Sequence, residues 1–553
     1  MSTDKQVRDS DGTTLGSDAA DAATSEVPPA ERPPVANLKL LFASLMIVMF
    51  LASLSQMVFA TALPTIVGEL HGVNQMVWVI TGYMLASTVA MPIYGKAGDL
   101  FGRKNMLLVA IPIFTIGSLI GALAPTMTWL ITARVIQGLG GGGLIILSQA
   151  SVADFIPARR RGKYSGIMGA TFATSSVAGP LLGGWLTEGP GWRWVFWIVI
   201  PQAIVAGFAL VLLMPTTHKQ AAVRPKIDVA GICLMALATT GIVLIATLGG
   251  HSYEWLSPQI LVMAASSLLI GTLFVFIETR AEHPVIPMTM FKNRNFVLVT
   301  TTGLLTGICM YGAMGYLPTY FQMAEGVSAT EAGLLMVPLM GFLLLGSIAV
   351  GNLVSRTGRY KAMPIIGSLL VALALWLLST VTLATPLAQI CSYMALMGIG
   401  LGSSMSILTL IVQNELPHRL VGTATAANNY FRQVGSSLGA AIVGSLFVAR
   451  LGMLLTERLP AAANTADARK SFTPDIVSAL PEVIRQIVLH AYNEALVPIY
   501  AAMVPLALIA AVLMTFVREN PLATEIVHEA PAESLAEGQL LISDFDSEDE
   551  RVV

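Results

Sequence analysis

Long apolar runs separated by short polar breaks dominate the chain. Cutting at the breaks leaves segments near 38–62, 77–95, 106–124, 127–149, 165–187, 194–214, 229–248, 259–278, 297–318, 332–353, 363–383, 386–411, 424–449 and 495–517. A helix rising 1.5 Å per residue needs about 20 apolar residues to cross about 30 Å of hydrocarbon. Most of the segments have that length, so the pattern predicts fourteen membrane-spanning helices: an all-α polytopic membrane protein. The first segment does not read as a cleaved signal peptide, because a polar tail of about 37 residues precedes it and its apolar run is too long. Between the last two segments, Ile476, Leu480, Val483, Ile484, Ile487, Val488 and Tyr492 recur at helical spacing. They predict an amphipathic helix, or a helical extension of the final span.

Composition agrees with this class. Of 553 residues, 55% are hydrophobic and 12% charged, and mean hydropathy is +0.72, which excludes a soluble domain. The net charge of −2 offers nothing to nucleic acid. The cations are sorted by side. With the N-terminus cytoplasmic, the short inner loops hold seventeen, from Lys96 to Arg419, and the short outer loops hold only Arg193. This asymmetry predicts that both termini lie in the cytoplasm. Residues 1–37 and 518–553 read as disordered cytoplasmic tails, the second ending in an acidic cluster from Asp544 to Glu550. Cys233, Cys309 and Cys391 lie inside apolar segments without metal or redox spacing. No metal cluster, nucleophile triad or phosphate-cradling loop appears; the run Gly138 to Gly143 lacks the lysine such a loop needs. An enzyme is therefore not expected, nor a cofactor.

The chain repeats itself weakly. Gly95-Lys96-Ala97-Gly98-Asp99-Leu100-Phe101-Gly102-Arg103-Lys104 follows the second segment, and Gly351-Asn352-Leu353-Val354-Ser355-Arg356-Thr357-Gly358-Arg359-Tyr360-Lys361 follows the tenth. Such doubling is typical of transporters built from repeats. It predicts two six-helix halves, at 38–214 and 297–517, with two further helices inserted at 215–296 and an extracytoplasmic loop at 450–494.

Four stretches carry a resemblance to a known family. They are the Gly95 to Lys104 loop, Arg134-Val135-Ile136-Gln137-Gly138 in the fourth segment, Gly179-Pro180-Leu181-Leu182-Gly183-Gly184 in the fifth, and Ala62-Leu63-Pro64-Thr65-Ile66 closing the first. In this order the chain resembles the major facilitator superfamily, and within it the fourteen-helix drug:proton antiporters. The resemblance implies alternating access between two halves, export of lipophilic compounds, and a proton gradient as energy source. It also implies a conformational latch at Asp99 and Arg103, proton coupling at Arg134 with Gln137 one turn away, and an antiporter-type hinge at Gly179, Pro180, Gly183 and Gly184.

The residues have readings of their own. Asp99 can hydrogen-bond neighbouring helix ends or simply be a solvated loop charge. The glycines around Pro180 suit a hinge or ordinary close packing. Arg134, among apolar neighbours, is costly unless paired or hydrated. Arg432 in the thirteenth segment is either similar or snorkels to the cytoplasmic face. No carboxylate falls at the middle of a predicted span. Many relatives carry an Asp nine residues before the Pro that ends the Ala-Leu-Pro signature, where this chain has Ser55. A proton-carrying group is then sought at Asp99, Glu415 or Glu331. An acid restored at Ser55 is expected to favour lipophilic cations. Ser55, Gln56, Tyr83, Gln137, Tyr311, Tyr320, Gln322, Asn428 and Asn429 are the candidate polar lining of a Met-rich cavity suited to an amphiphilic, uncharged substrate. Trp78, Trp129, Trp192 and Trp194 read as interface anchors. The partners expected are the small-molecule substrate and membrane lipids, with an extracytoplasmic partner at 450–494 open. The reading is a secondary active drug exporter. A lipid or glycolipid exporter, a small-solute importer and a non-transporting membrane sensor stand as alternatives.

Overall fold

The computed structural model describes residues 37–71, 75–215, 228–250, 253–458, 477 and 480–522. The predicted tails, apart from residues 37 and 518–522, and the centre of the 450–494 segment fall outside the described residues. Every named element is a helix. The first half of the chain contains α1 (Leu38–Met57), α2 (Phe59–Leu70), α3 (Met76–Phe101), α4 (Arg103–Ala122), α5 (Met127–Phe155), α6 (Ala158–Glu188), the short α7 (Trp194–Trp197) and α8 (Val199–Leu213). Then come α9 (Val229–Leu248) and α10 (Pro258–Glu278). The second half contains α11 (Arg294–Met314), α12 (Leu317–Ala324), α13 (Ala329–Leu334), α14 (Val337–Thr357), α15 (Ala362–Leu378), α16 (Leu387–Glu415), α17 (Val421–Arg458) and α18 (Glu482–Thr515).

Eleven helical stretches among the described residues are long and apolar enough to cross a membrane. Three further predicted segments also form helices. α3 and α6 have the length, at 26 and 31 residues, but carry charges at one end, Lys96 and Asp99 in α3 and Arg159 to Lys163 in α6. α15 is apolar but has 17 residues.

Two boundaries differ from the sequence pattern. The predicted first span at 38–62 runs as helix to Leu70, interrupted at Val58, so the Ala62 to Ile66 signature lies inside α2 and does not close the span. At the other end of the chain, α17 reaches Arg458 and α18 begins at Glu482. With 38 and 34 residues both exceed the roughly 20 needed to span. Arg458 pairs with Glu494 where the two helices overrun. The predicted helical extension of the last span is therefore present.

The buried side chains form separate cores. One joins α1, α4, α5 and α8 through Leu45, Val48, Leu107, Phe114, Leu144 and Ala203. Another joins α11, α14 to α16 and α18 through Met310, Leu339, Leu375, Met397 and Tyr500. Between these halves, α6 lies along α14 and α3 along α17. Small residues bring the backbones together: a Cβ on Gly166 would sit 2.6 Å from the Ser347 carbonyl oxygen, and one on Gly162 2.9 Å from that of Gly351. Gly162, Gly166 and Gly169 of α6, with Gly351 of the second loop repeat, thus lie in the contact between α6 and α14. α9 packs on α3 and α17, while α10 lies outside it with Val262, Leu268 and Leu269 exposed, as a lipid-facing helix would have them.

α6 runs continuously through Pro180, whose carbonyl accepts from the Thr61 hydroxyl at 3.3 Å. Here α6 meets the α1–α2 interruption. A Cβ on Gly179 would stand 2.5 Å from the Met57 Cβ, and one on Gly183 2.5 Å from the Val58 carbonyl oxygen, whereas at Gly184 nothing lies within 4 Å. Gly183→Ala and Gly179→Ala are accordingly expected to destabilise by about 1–3 kcal/mol through overpacking, and Gly184→Ala to stay within about 0.5 kcal/mol of the parent. Thermal unfolding of the purified protein in detergent checks this, and equal losses at Gly183 and Gly184 would contradict the packing described.

Candidate functional site

Three features stand out, the first and third of them between the halves. The first lies at the end of the molecule bearing Asp99 and the Arg103 cluster, the basic end. α17 starts at Val421 after the short turn His418–Leu420, and the first amides of a helix have no partner within it. Asp99, on the last turn of α3, supplies one from the other half of the chain. Its carboxylate accepts from the Gly422 amide at 3.0 Å, the Thr423 amide at 2.7 Å and the Thr423 hydroxyl at 2.8 Å. Negative charge is favoured at that position by the helix dipole as well. A side chain on Gly422 would collide with this carboxylate, so the glycine makes the approach feasible. Arg103 reaches back to Asp99 at 3.2 Å and across to Asp154 at 2.7 Å, and it also donates to the Ala150 carbonyl. Asp154 lies 3.0 Å from the His418 Nε2. Asp99 and Arg103 are buried, which removes the reading of Asp99 as a solvated loop charge. Asp154 and His418 were given no part by the sequence reading. Asp154 sits at the end of a glycine-rich helix, and no local pattern links it to a loop some 50 residues away.

The second feature surrounds Arg134, which is fully buried on α5. Its guanidinium donates to the Gln137 Oε1 at 2.6 Å, to the Ser55 hydroxyl and carbonyl at 3.3 and 3.2 Å, and to the Val79 carbonyl at 3.3 Å. The Phe59 and Tyr83 rings flank it at 4.0 and 4.2 Å. Gln137 passes the chain on to the Ser118 hydroxyl at 2.8 Å. No carboxylate pairs with Arg134 among the described residues, and the cation is held by dipoles and aromatic faces instead. Ser55 stands where a counter-ion would.

The third feature is a cavity walled by α1, α3, α5 and α6 from the first half and α11, α14, α16 and α17 from the second. Met49, Met91, Met168, Met310 and Met405 supply much of its apolar surface. Gln56 and Tyr311 line it as the sequence suggested. Arg432 does too, which rules out the snorkelling reading. Its guanidinium donates to the Asn429 Oδ1, and Asn429 donates in turn to the Gln149 Oε1 at 3.0 Å across the two halves.

Several predicted lining residues are elsewhere. Ser55, Tyr83 and Gln137 belong to the Arg134 cluster, so an acid at Ser55 would meet Arg134 and not a substrate. Asn428 is buried on α17 beside Gly303. Gln322 on α12 donates to the Pro318 carbonyl of its own helix, and the Tyr320 hydroxyl bonds Asn493 at 3.0 Å. Glu331 caps α13 through Ser328 and is exposed, and Glu415 accepts from Asn520; neither reaches the cavity. Trp192 is buried and donates to Glu69 at 2.7 Å, while Trp129 and Trp194 are exposed as interface anchors would be. The sequence reading missed Gln149, Ser53 and Gln433. Met49, Ser53 and Gln56 fall at i, i+4 and i+7, a stripe that Ser55 leaves, and this spacing was the available signal.

Replacing Arg134 by Ala is expected to cost about 2–5 kcal/mol, because the space between Phe59 and Tyr83 cannot close. Ser55→Asp is expected to raise the unfolding temperature by giving the buried cation a counter-ion. Thermal unfolding of the two variants tests both expectations, and a Ser55→Asp protein less stable than the parent would contradict the second.

Comparison with known proteins now fits these features. The sequence profile described as Major Facilitator Superfamily matches residues 45–440. An uncharacterized MFS-type transporter of Mycobacterium tuberculosis is 36% identical over 90% of this chain and 72% of its own length. The multidrug transporter protein MdtP of Bacillus subtilis is 34% identical over 83% of this chain and 87% of its own. Among solved structures, the proton:xylose symporter XylE shares 15% identity with a TM-score of 0.56, covering 87% of this chain and 97% of that one, a likeness of fold. On this profile and these relatives, and with eleven candidate spans among its described residues, the chain belongs to the Major Facilitator Superfamily, a multi-pass membrane transporter and not an enzyme.

Proposed function

We propose that the protein is a secondary active exporter of lipophilic compounds, driven by proton entry, with fourteen spans in the plasma membrane and both termini cytoplasmic. The observation that carries the reading is the cavity between the halves together with the contact that closes its basic end. Flexible methionine side chains accept varied apolar shapes, and a mostly apolar wall with a few polar groups suits a small amphiphilic ligand. The Bacillus subtilis relative named a multidrug transporter supports export of this substrate class. α3, α6 and α15 complete the eleven more apolar helices to the fourteen-helix antiporter arrangement, and the basic end is then cytoplasmic by the positive-inside rule.

In this reading Asp99 is the latch of the cytoplasm-closed state. Opening inward requires α17 to leave the Asp99 carboxylate, exposing the Gly422 and Thr423 amides. No Asp or Glu lines the cavity among the described residues, and Ser55 cannot hold a proton. Proton coupling therefore falls to the carboxylates at the basic end, where a proton on Asp99 removes an acceptor and frees α17. A latch of this kind biases two discrete arrangements.

Inside-out vesicles carrying the full chain, with an imposed pH gradient, test the proposal through accumulation of a fluorescent lipophilic dye. Wild type is expected to accumulate the dye only with the gradient present. Asp99→Asn is expected to abolish accumulation while the protein remains inserted, since a neutral amide satisfies the α17 amides less well, by about 1–3 kcal/mol. Near-normal transport by Asp99→Asn would remove the latch.

A further inference from the structure

The two arginines inside the membrane region are held in opposite ways. Arg134 has its donors engaged by Gln137, Ser55 and Val79 and both faces covered by aromatic rings. Arg432 lines the cavity and has one described hydrogen-bond acceptor, the Asn429 Oδ1. A guanidinium carries five N–H donors in a planar fork, so most of those on Arg432 have no protein acceptor among the described residues. None of the ion pairs of the described residues includes it, and among the described lining residues it is the one charged side chain. Asn429 is itself committed, donating to Gln149 at 3.0 Å and to the Thr425 carbonyl at 2.9 Å, which holds Arg432 by its anchored end. Around it stand neutral hydrogen-bonding groups, Gln433 and Tyr311, and the methionine wall.

A cation in a low-dielectric cavity without a counter-ion is costly. An oxyanion arriving on a ligand would supply the missing charge and match the guanidinium fork in a bidentate pair. We propose that the cavity takes a lipophilic organic anion, its carboxylate or equivalent oxyanion on Arg432 and its apolar body on the methionine wall. This proposal rests on the export reading and narrows its substrate class: the uncharged substrate expected from the sequence gives way to an acidic one, and a lipophilic cation is disfavoured by the charge on the wall.

The test uses three dansyl compounds of similar size: dansylglycine, which is anionic, dansylglycinamide, which is neutral, and dansylcadaverine, which is cationic. Binding to the full chain in phosphatidylcholine nanodiscs is read by dansyl fluorescence, and transport by accumulation in inside-out vesicles. Dansylglycine is expected to bind at least about tenfold more tightly than the amide, equivalent to about 1.4 kcal/mol, and dansylcadaverine more weakly than either. Arg432→Gln is expected to bring dansylglycine and the amide within about twofold of each other, and Arg432→Lys to keep their order. Ser406→Asp, a change elsewhere in the same wall, is expected to raise dansylcadaverine affinity relative to dansylglycine, and it reports on the cavity even if Arg432→Gln fails to fold. Replacing part of the phosphatidylcholine with phosphatidylglycerol should leave dansylglycine affinity unchanged; competition would assign the site to a lipid headgroup and overturn a soluble ligand. Equal binding of the three probes, or an anion preference that survives Arg432→Gln, overturns the proposal. Transport of the neutral or cationic probe alone would then leave export standing, whereas movement of none of the three under a pH gradient overturns both readings.

Discussion

A helix that begins inside a protein must find acceptors for its first amides. In this protein the start of α17 finds them on Asp99, a residue more than 300 positions earlier in the chain. Much of the architecture at the basic end follows from that contact. Gly422 has no side chain because the carboxylate occupies its place, and Gly95 none because a Cβ there would press on the Gly422 carbonyl at 2.9 Å. Arg103 stands behind Asp99 and ties it to Asp154 on α5. The interaction is strong in a buried setting, yet the described donors of α17 are two backbone amides and a hydroxyl, which water can serve equally well. Such a contact is broken by solvation without leaving a buried charge stranded, a property suited to a latch.

The other polar clusters divide the work of handling charge in an apolar interior. Around Arg134 the chain spends a glutamine, a serine, two carbonyls and two aromatic rings on one guanidinium, all within the first half. Around Arg432 it spends an asparagine and leaves the rest of the fork toward the cavity. Both arginines lie one turn from an amide side chain, at Gln137 and Asn429, so the local sequence around the two is alike. Their difference lies in what the neighbouring helices bring.

Much was legible from the sequence. The helices and the small-residue stretch of α6 follow from apolar length and glycine spacing, because a chain in lipid has to satisfy its backbone within each helix. The pairing of Arg134 with Gln137 is a one-turn spacing, also local. The cavity wall was legible only in part. Gln56 and Tyr311 are in it, but Ser55, Tyr83 and Gln137 are drawn away to Arg134. Which of two adjacent residues on α1 faces the cavity depends on how α1 is rotated against α3 and α5. Trp192 misled for a related reason: an aromatic at a loop edge looks like an interface anchor until a partner such as Glu69 buries it.

The sequence by itself determined the helical membrane class and the positions where backbones can approach, since these depend on segment length, side-chain polarity and the absence of a Cβ. Only the tertiary structure decided which partner each polar group meets. It joined Asp99 to α17 and Ser55 to Arg134, and it left Arg432 facing a cavity with no carboxylate in its described wall. The physical reason is that a buried charge is settled by groups within a few ångströms, and in this fold those groups come from helices far apart in the chain.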